Sequence, residues 1–353
     1  MKDLKSIKIG RCTINYGLPC FIIAEAGVNH NGDLEIGLKL IDKAAEARVN
    51  AVKFQTFKAE NLVTKNAAMA YYQKKILKSG KSQYKMLKKL ELDKKEHSIL
   101  KKYAEKRGLV FLSTAHSGEE DVRMLRKLGV DAYKIGSGDL NNKPFIKYVA
   151  KDNKPMIIGT GMATMEEVNN AIRWINEEGN SKIIMLHCTT NYPCPYNEVN
   201  MNAMTTMIRQ KKSLVGYSDH TMGIAVPIMA RVMGACVIEK HFTLNRKMKG
   251  PDHAASLEPE ELRTMVQSIR NIEQSFGSYE KKPSKGEKEN MKAVRKSLVA
   301  SRNLKINHII DHKDVVVKRP GTGLQPKDIY KVIGKKILQP IKKDEIINLK
   351  KLS

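Results

Sequence analysis

The chain has 353 residues, of which 41% are hydrophobic and 28% charged, and it carries a formal net charge of +26. This length allows one large domain with a smaller one, and the composition is that of a globular protein and not of a disordered or fibrous one. The lysines occur singly or in pairs and aromatic residues make up only 6%, so we expect solvated helix faces and no nucleic-acid partner.

The cysteines and the apolar runs bear on the cellular compartment. The five cysteines are odd in number and form no CxxC pair, which predicts a reduced protein with no disulfide framework. No apolar run is long enough to cross a membrane, and the N-terminal residues contain no apolar signal core. We therefore expect a cytoplasmic protein that does not bind membranes.

Strand-like and helix-like segments alternate along most of the chain. Short apolar runs predict strands at residues 21–25, 51–55, 109–114, 131–135, 155–159, 182–187, 214–217 and 236–239. Helical patterns occur at residues 34–48, 94–107, 119–128, 144–150, 165–178 and 258–276, and a segment rich in Ala, Met and Ile joins the last two strands. A long polar segment, 59–92, follows the second strand.

Eight strands, each followed by a helix, predict an α/β fold of the (β/α)8 TIM-barrel type over residues 1–277. A doubly wound open sheet is the alternative. That fold would carry a GxGxxG turn after its first strand, and this chain has none there.

A histidine follows each of the last two predicted strands, His220 after the first and His241 after the second. If these strands are parallel neighbours, both imidazoles lie at the same mouth of the barrel. Two neutral imidazoles suit a divalent transition metal and leave positions for water or substrate. Two packed or surface histidines are the alternative interpretation.

Other polar residues also stand at predicted strand ends, where a TIM barrel carries its chemistry. Lys53 and Lys134, with the glycine-rich turns after later strands, would hold a phosphate or carboxylate. Glu25 ends the first strand and is the candidate for proton transfer, with a salt-bridged core glutamate as the alternative.

The composition changes near the end of the barrel segment. Residues 278–296 are polar and charged and predict a linker. Residues 297–353 predict a small module with β-like runs at 298–300, 315–318 and 337–341 and a short helix at 328–333. Its Arg319 lies on a Pro/Gly turn that suits a carboxylate or a sugar, although an ordinary exposed turn is equally compatible.

Motifs along essentially the whole chain resemble those of the sialic acid synthases. They are IIAEAGVNHNGDL, KFQTFKAENL, KIGSGD, GTGMAT, HCTTNYP, YSDHT, IEKHFTL, KGPDHAASLEP and KRPGTG. The resemblance implies a TIM barrel with a C-terminal antifreeze-like (SAF, β-clip) domain, assembled as a homodimer. It also implies condensation of phosphoenolpyruvate with an N-acetylated aldose, giving a nine-carbon 2-keto acid and phosphate.

The same resemblance implies roles for individual residues. His220 and His241 would hold the metal, normally Mn²⁺ and otherwise Mg²⁺ or Co²⁺; Glu25 would be the catalytic acid/base, and Arg319 would reach into the barrel of the partner subunit. The residues implied for phosphoenolpyruvate are Lys53, Thr114, Lys134, Ser137, Thr160 and Ser218. Those implied for the amino sugar are Gln55, Asn191, Tyr192 and Asp252, with Glu239 beside the metal.

The sequence departs from the family pattern at two places, with Thr160 where serine is usual and Ala115-His116 where Pro-Phe is usual. The 249–256 loop is similar to that of the neuraminate and legionaminate branches. The polar set Gln55, Gln73, Asn191 and Tyr192 favours N-acetylmannosamine as acceptor, which predicts an N-acetylneuraminate synthase. Legionaminate synthesis from 2,4-diacetamido-2,4,6-trideoxymannose is the alternative. Another metal-dependent barrel aldolase and a basic nucleic-acid-binding protein are remoter alternatives.

Overall fold

The computed structural model describes residues 6–69 and 82–353. They divide into two compact units, one within Met1–Phe276 and the other Gly277–Ser353. Within the described ranges, no helix is long and apolar enough to cross a membrane.

The first unit is built on a closed barrel of eight parallel strands, which confirms the predicted fold class. The last strand pairs with both the first and the seventh, so the sheet has no free edge. The barrel strands are β3 (Phe21–Gly27), β4 (Ala51–Thr56), β5 (Val110–Ala115), β6 (Tyr133–Ile135), β7 (Met156–Gly159), β8 (Ile183–His187), β9 (Leu214–Asp219) and β10 (Val237–His241).

Helices surround the barrel and bury one apolar face against it. Side-chain caps determine where several of them start: Asp33 accepts hydrogen bonds from the first turn of Leu34–Glu46, and Asp93 and Thr164 form capping boxes at the starts of Lys94–Lys106 and Met165–Glu177. The helices are α1 (Leu34–Glu46), α2 (Ala59–Leu62), α3 (Gln83–Lys88), α4 (Lys94–Lys106), α5 (Glu119–Leu128), α6 (Lys143–Ala150), α7 (Met165–Glu177), α8 (Met201–Gln210), α9 (Ala225–Val232) and α10 (Pro259–Ser275). Gln73, part of the acceptor argument, lies outside the described residues.

A hairpin that the sequence analysis did not identify closes one end of the barrel. Its antiparallel strands are β1 (Ile7–Ile9) and β2 (Cys12–Ile14). Ile7, Ile9 and Ile14 are buried in one apolar cluster with side chains from the barrel interior, including Phe21 and Leu214 at the beginnings of their strands. The hairpin therefore fills the amino-terminal end, and the carboxyl ends of the strands remain as the open mouth.

The second unit packs around its own apolar core, which includes Leu298, Ile337 and Ile347. Its regular elements are the helix α11 (Lys285–Val294) and the antiparallel strands β11 (Ser297–Ala300) and β12 (Val315–Lys318). The predicted strand at 337–341 is represented by isolated bridges, and a 3-10 helix, Pro326–Lys331, covers much of the predicted short helix.

The segment 278–296, which the sequence analysis predicted as a linker, contains α11. A capping box formed by Ser284 and Glu287 starts this helix. The sequence pattern did not indicate this helix, because α11 has no buried residue and hence no apolar stripe.

Candidate active site

A cavity of about 180 Å³ opens at the carboxyl ends of the barrel strands. Most of the residues predicted for the site line it, although they are scattered along more than two hundred positions of the chain. They are Glu25, Lys53, Gln55, Thr114, Lys134, Ser137, Tyr192, Ser218, His220, Glu239 and His241. The cavity has two parts, an imidazole side and a lysine side.

The imidazole side is formed by His220 and His241, whose ring centroids are 5.6 Å apart. The ring of Tyr192 packs on His220, with the centroids 4.1 Å apart. His220 Nδ1 lies 2.7 Å from the carbonyl oxygen of Thr189, which can only accept a hydrogen bond. Nδ1 of the neutral ring therefore carries the hydrogen, and Nε2 keeps its lone pair.

Both imidazoles are neutral in this environment. Burial lowers the pKa of His220 to about 4, and burial together with the neighbouring His220 lowers the pKa of His241 well below its ordinary value. Nδ1 of His241 is buried and has no hydrogen-bond partner among residues 6–69 and 82–353, and its nearest carboxylate oxygen is Asp252 Oδ2 at 4.0 Å. Two neutral rings at one mouth, one with an unpartnered nitrogen, fit a divalent transition metal.

Among the residues that the structure describes, no third side chain joins the imidazole pair to complete a metal site. In the part of the chain that the structure describes, no group of three or more His, Cys, Asp or Glu side chains is arranged to hold a metal. A structural metal site is normally closed by four protein ligands, whereas a catalytic site leaves positions open. The pair therefore fits a metal that shares its coordination with substrate and water.

The lysine side is a buried network of charges around Lys53. Its Nζ lies 2.5 Å from Glu25 Oε2 and 3.8 Å from Glu239 Oε2, and it donates a 2.7 Å hydrogen bond to Thr114 Oγ1. Lys134 Nζ lies 3.5 Å from Glu239 Oε1, which also accepts a 2.9 Å hydrogen bond from Ser218 Oγ.

The two carboxyl groups of this network have different pKa values. Burial raises the pKa of Glu25 to about 7, because Lys53 and the smaller effect of Lys134 do not offset the lost hydration and the charge of Glu239. Burial also opposes ionisation of Glu239, but Lys134, Lys53 and the Ser218 hydroxyl outweigh it and lower its pKa to about 2. Near neutral pH, Glu25 can thus give or take a proton while Glu239 stays ionised.

Close approach of the backbone shapes the turn after β7. Gly161 N donates a 3.0 Å hydrogen bond to Ser137 Oγ. A Cβ atom on Gly161 would lie 2.1 Å from Thr190 Oγ1, so no larger residue fits without movement. The arrangement holds the Ser137 hydroxyl in the cavity wall.

The remaining predicted site residues are not among those lining the cavity. Thr160 is buried and its hydroxyl donates to the carbonyl oxygen of Leu186 at 3.0 Å, and the Asn191 amide donates to Glu198 Oε2 at 2.9 Å. Asp252 is buried beside His241, and burial raises its pKa to about 6. Arg319 is exposed in the second unit.

The cavity lining also includes residues to which the sequence analysis gave no role in the site, namely His116, Met162, Cys188 and Thr190. Each follows a strand closely in the sequence. β8 ends at His187, as predicted, but the His187 side chain does not face the cavity: its Nε2 lies 2.9 Å from the carbonyl oxygen of Val199, outside the barrel. Because side chains alternate along a strand, the next residue, Cys188, faces inward.

A separate buried ion pair lies behind the imidazole side, outside the barrel. Lys240 Nζ lies 2.5 Å from Asp219 Oδ2 and also donates to the carbonyl oxygen of Thr221, and neither charged side chain is exposed to solvent. Tyr217 donates a 3.0 Å hydrogen bond to Asp219 Oδ1. This network ties together the ends of β9 and β10, which carry the two histidines.

A parallel eight-stranded barrel with a paired-imidazole and lysine-lined cavity at its carboxyl end defines an enzyme of the TIM-barrel class. Residues 40–281 match the NeuB family and residues 295–353 match the SAF domain. The chain belongs to the NeuB family, the sialic acid synthases, and is thus an enzyme that forms a carbon–carbon bond from phosphoenolpyruvate and an amino sugar.

Similarity to individual proteins extends over most of the chain. It is 46% identical to the N,N'-diacetyllegionaminic acid synthase of Legionella pneumophila over 91% of both chains. It is 35% identical to the human N-acetylneuraminate-9-phosphate synthase, covering 93% of this chain and 91% of the human one. The crystal structure of N-acetylneuraminic acid synthetase from Leptospira borgpetersenii superposes with a TM-score of 0.73 at 33% identity, covering 81% of this chain and 95% of that one.

Proposed function

We propose that this enzyme is an N,N'-diacetyllegionaminate synthase, which condenses phosphoenolpyruvate with 2,4-diacetamido-2,4,6-trideoxymannose and releases phosphate. The observation that carries the proposal is the 46% identity to the Legionella enzyme, against 35% to the human N-acetylneuraminate-9-phosphate synthase. This proposal reverses the preference of the sequence analysis, which favoured N-acetylmannosamine.

Of the four polar residues on which the preference for N-acetylmannosamine depended, the structure describes three, and two of these line the cavity. Gln55 and Tyr192 line the cavity. The Asn191 amide is held by Glu198, and Gln73 is not described by the structure. Because Asn191 does not line the cavity, the described part of the pocket has one polar group fewer than expected, and such a pocket discriminates less strongly for a sugar hydroxyl.

The residues of the lysine side fit the binding of phosphoenolpyruvate. Lys53 and Lys134 would offset the negative charges of its carboxylate and phosphate, which lose their hydration in the buried cavity. The hydroxyls of Thr114, Ser137 and Ser218 are donors in the same wall.

The imidazole side would receive the aldehyde of the open-chain sugar. When bound by His220 and His241, Mn²⁺, or else Mg²⁺ or Co²⁺, would polarise that aldehyde for attack by carbon 3 of the enol. Glu25 is suited to move a proton near the reacting carbons, because its pKa of about 7 is close to the working pH. Glu239 remains ionised and keeps the two lysines oriented.

The proposal extends to assembly and location. As the family resemblance implies, we infer a homodimer in which Arg319 reaches into the barrel of the partner subunit. We also infer a cytoplasmic enzyme, an inference supported by the five free cysteines.

The test compares catalytic efficiency on the two acceptor sugars, with phosphoenolpyruvate and Mn²⁺ in excess and with the products identified by mass. We expect a tenfold or greater preference for the diacetamido sugar, which corresponds to about 1.4 kcal/mol. A preference for N-acetylmannosamine would refute this proposal and support an N-acetylneuraminate synthase instead. Phosphate release that needs no amino sugar would contradict both.

A further inference from the structure

His116 is a polar residue of the cavity to which none of the roles above has been given. It directly follows β5, which carries Thr114, and it lines the cavity next to Gly136. A Cβ atom on Gly136 would lie 3.0 Å from His116 Cε1 and 3.4 Å from Nδ1. The absence of a side chain at Gly136 therefore makes room for the imidazole against the turn after β6.

The backbone of His116 is fixed from two directions. Its N–H group lies within hydrogen-bonding distance of the Thr56 carbonyl oxygen, at 3.0 Å, and of Asp121 Oδ2, at 3.1 Å. The same Asp121 oxygen accepts hydrogen bonds from Ser117 N and Oγ at 2.6 and 2.7 Å. The imidazole itself makes no hydrogen bond to any residue in the ranges 6–69 and 82–353. A rigidly held backbone thus presents an imidazole whose nitrogens are available to a ligand.

Lys53 and Lys134 are the charged groups that act on this imidazole. Burial, assisted by the positive charges of these lysines, lowers the pKa of His116 to about 3, so the ring is neutral when the cavity holds no anion. A neutral imidazole has one N–H donor and one acceptor nitrogen. It can therefore add a hydrogen-bond donor to the lysine side without adding a third positive charge to the ligand-free site.

We propose that His116 is a phosphate-binding residue, which donates an imidazole N–H hydrogen bond to the phosphate group of phosphoenolpyruvate beside Lys53 and Lys134. The inference rests on the proposed function to the extent that phosphoenolpyruvate is the ligand. It gives this chain a donor at a position where the family pattern, with its Pro-Phe pair, has an apolar ring.

The experiment measures phosphoenolpyruvate binding by calorimetry on the full-length protein with Mn²⁺ and without acceptor sugar. His116→Phe keeps a planar ring but removes the N–H donor, and His116→Asn keeps a short donor in place of Nδ1. We expect the Phe variant to bind phosphoenolpyruvate at least tenfold more weakly, because a hydrogen bond to a charged group is lost. The Asn variant should recover part of this loss, and the KM of the amino sugar should change little in either.

Controls separate this role from a structural one. His312→Phe makes the same substitution at an exposed position of the second unit and should leave phosphoenolpyruvate affinity unchanged. If the Phe variant does not fold, His116→Leu also lacks a donor and permits the same comparison. Equal phosphoenolpyruvate affinity in the wild type and a folded donor-free variant would overturn the inference and leave the proposed function intact.

Two further outcomes are equally decisive. If the Phe variant has a raised KM for the amino sugar and an unchanged affinity for phosphoenolpyruvate, His116 contacts the acceptor sugar and the phosphate-binding role is refuted. Failure of the wild-type protein to bind phosphoenolpyruvate at all would contradict the proposed function itself.

Discussion

Replacement of Glu25 by glutamine should remove most of the activity and yet stabilise the folded protein. Glu25 shares Lys53 with Glu239, and Glu239 is also paired with Lys134 and Ser218. Burial removes the hydration of the ionised Glu25, the shared lysine does not replace it, and the pKa of Glu25 rises from an ordinary 4.5 to about 7. Turnover should fall roughly 10²-fold or more, because proton transfer is lost.

The stability change follows from the same shift. Below pH 4.5, Glu25 is protonated in both the folded and the unfolded protein and does not affect stability. As the pH rises from 4.5 to 7, only the unfolded state loses the proton, so the free energy of unfolding falls by up to about 3 kcal/mol. Glutamine does not ionise, so the Glu25→Gln variant should be more stable than the wild type at pH 8.5. The difference in the free energy of unfolding should shrink as the pH falls towards 4.5.

The matched control is Glu239→Gln, which should lower the free energy of unfolding at pH 8.5 where Glu25→Gln raises it. The pKa of Glu239 is lowered to about 2, so its stabilising contribution is present above pH 4.5 and is lost as the pH falls towards 2. Its removal should destabilise the protein by about 3 kcal/mol at pH 8.5. Urea denaturation in EDTA, followed by the fluorescence of Trp174, measures both variants. A Glu25→Gln variant that is less stable than the wild type at pH 8.5 would refute this account of the charge network.

Three other predictions concern the metal, the second unit and the dimer. His220→Ala and His241→Ala should each lose bound Mn²⁺ in calorimetry together with activity, and full activity in a metal-free variant would exclude the site. Asp314→Asn should speed hydrogen exchange in the second unit at pH 7. Hydrogen bonds and ion pairs lower the pKa of Asp314 to about 2, which corresponds to about 2 kcal/mol of folding stability that the variant loses. An unchanged exchange rate would contradict this prediction. Mixed Arg319→Ala and Glu25→Gln subunits should regain part of the activity on exchange, and verified heterodimers without recovery would show that Arg319 serves its own barrel.

The sequence alone predicted the barrel, because alternating apolar runs and amphipathic helices specify local structure residue by residue. It also brought His220 and His241 together, since parallel neighbouring strands must present their carboxyl ends at one mouth. Catalytic residues of TIM barrels lie at the carboxyl ends of the strands, and on this ground the sequence analysis predicted that Glu25, Lys53 and Lys134 share the cavity that they line.

The sequence pattern predicts where the strands end, but it does not determine which side chains at those ends face the barrel interior. Ser113 and Thr114 are adjacent on β5, yet Thr114 lines the cavity whereas Ser113 faces outward, its hydroxyl 2.7 Å from that of Thr56. His187 and Cys188 divide in the same way. A shift of one residue reverses the direction of a side chain, and predicted strand bounds are not accurate to one residue.

Only the tertiary structure decided the partners of the polar groups and the resulting proton affinities. Thr160 donates its hydroxyl hydrogen to the carbonyl oxygen of Leu186, and the Asn191 amide donates to Glu198, partners that no local pattern specifies. Glu25 acquires a raised pKa because barrel closure buries it beside a lysine shared with a second carboxylate. Such distances depend on residues far apart in the chain, so a local pattern determines which groups reach the site, and packing determines what each group does there.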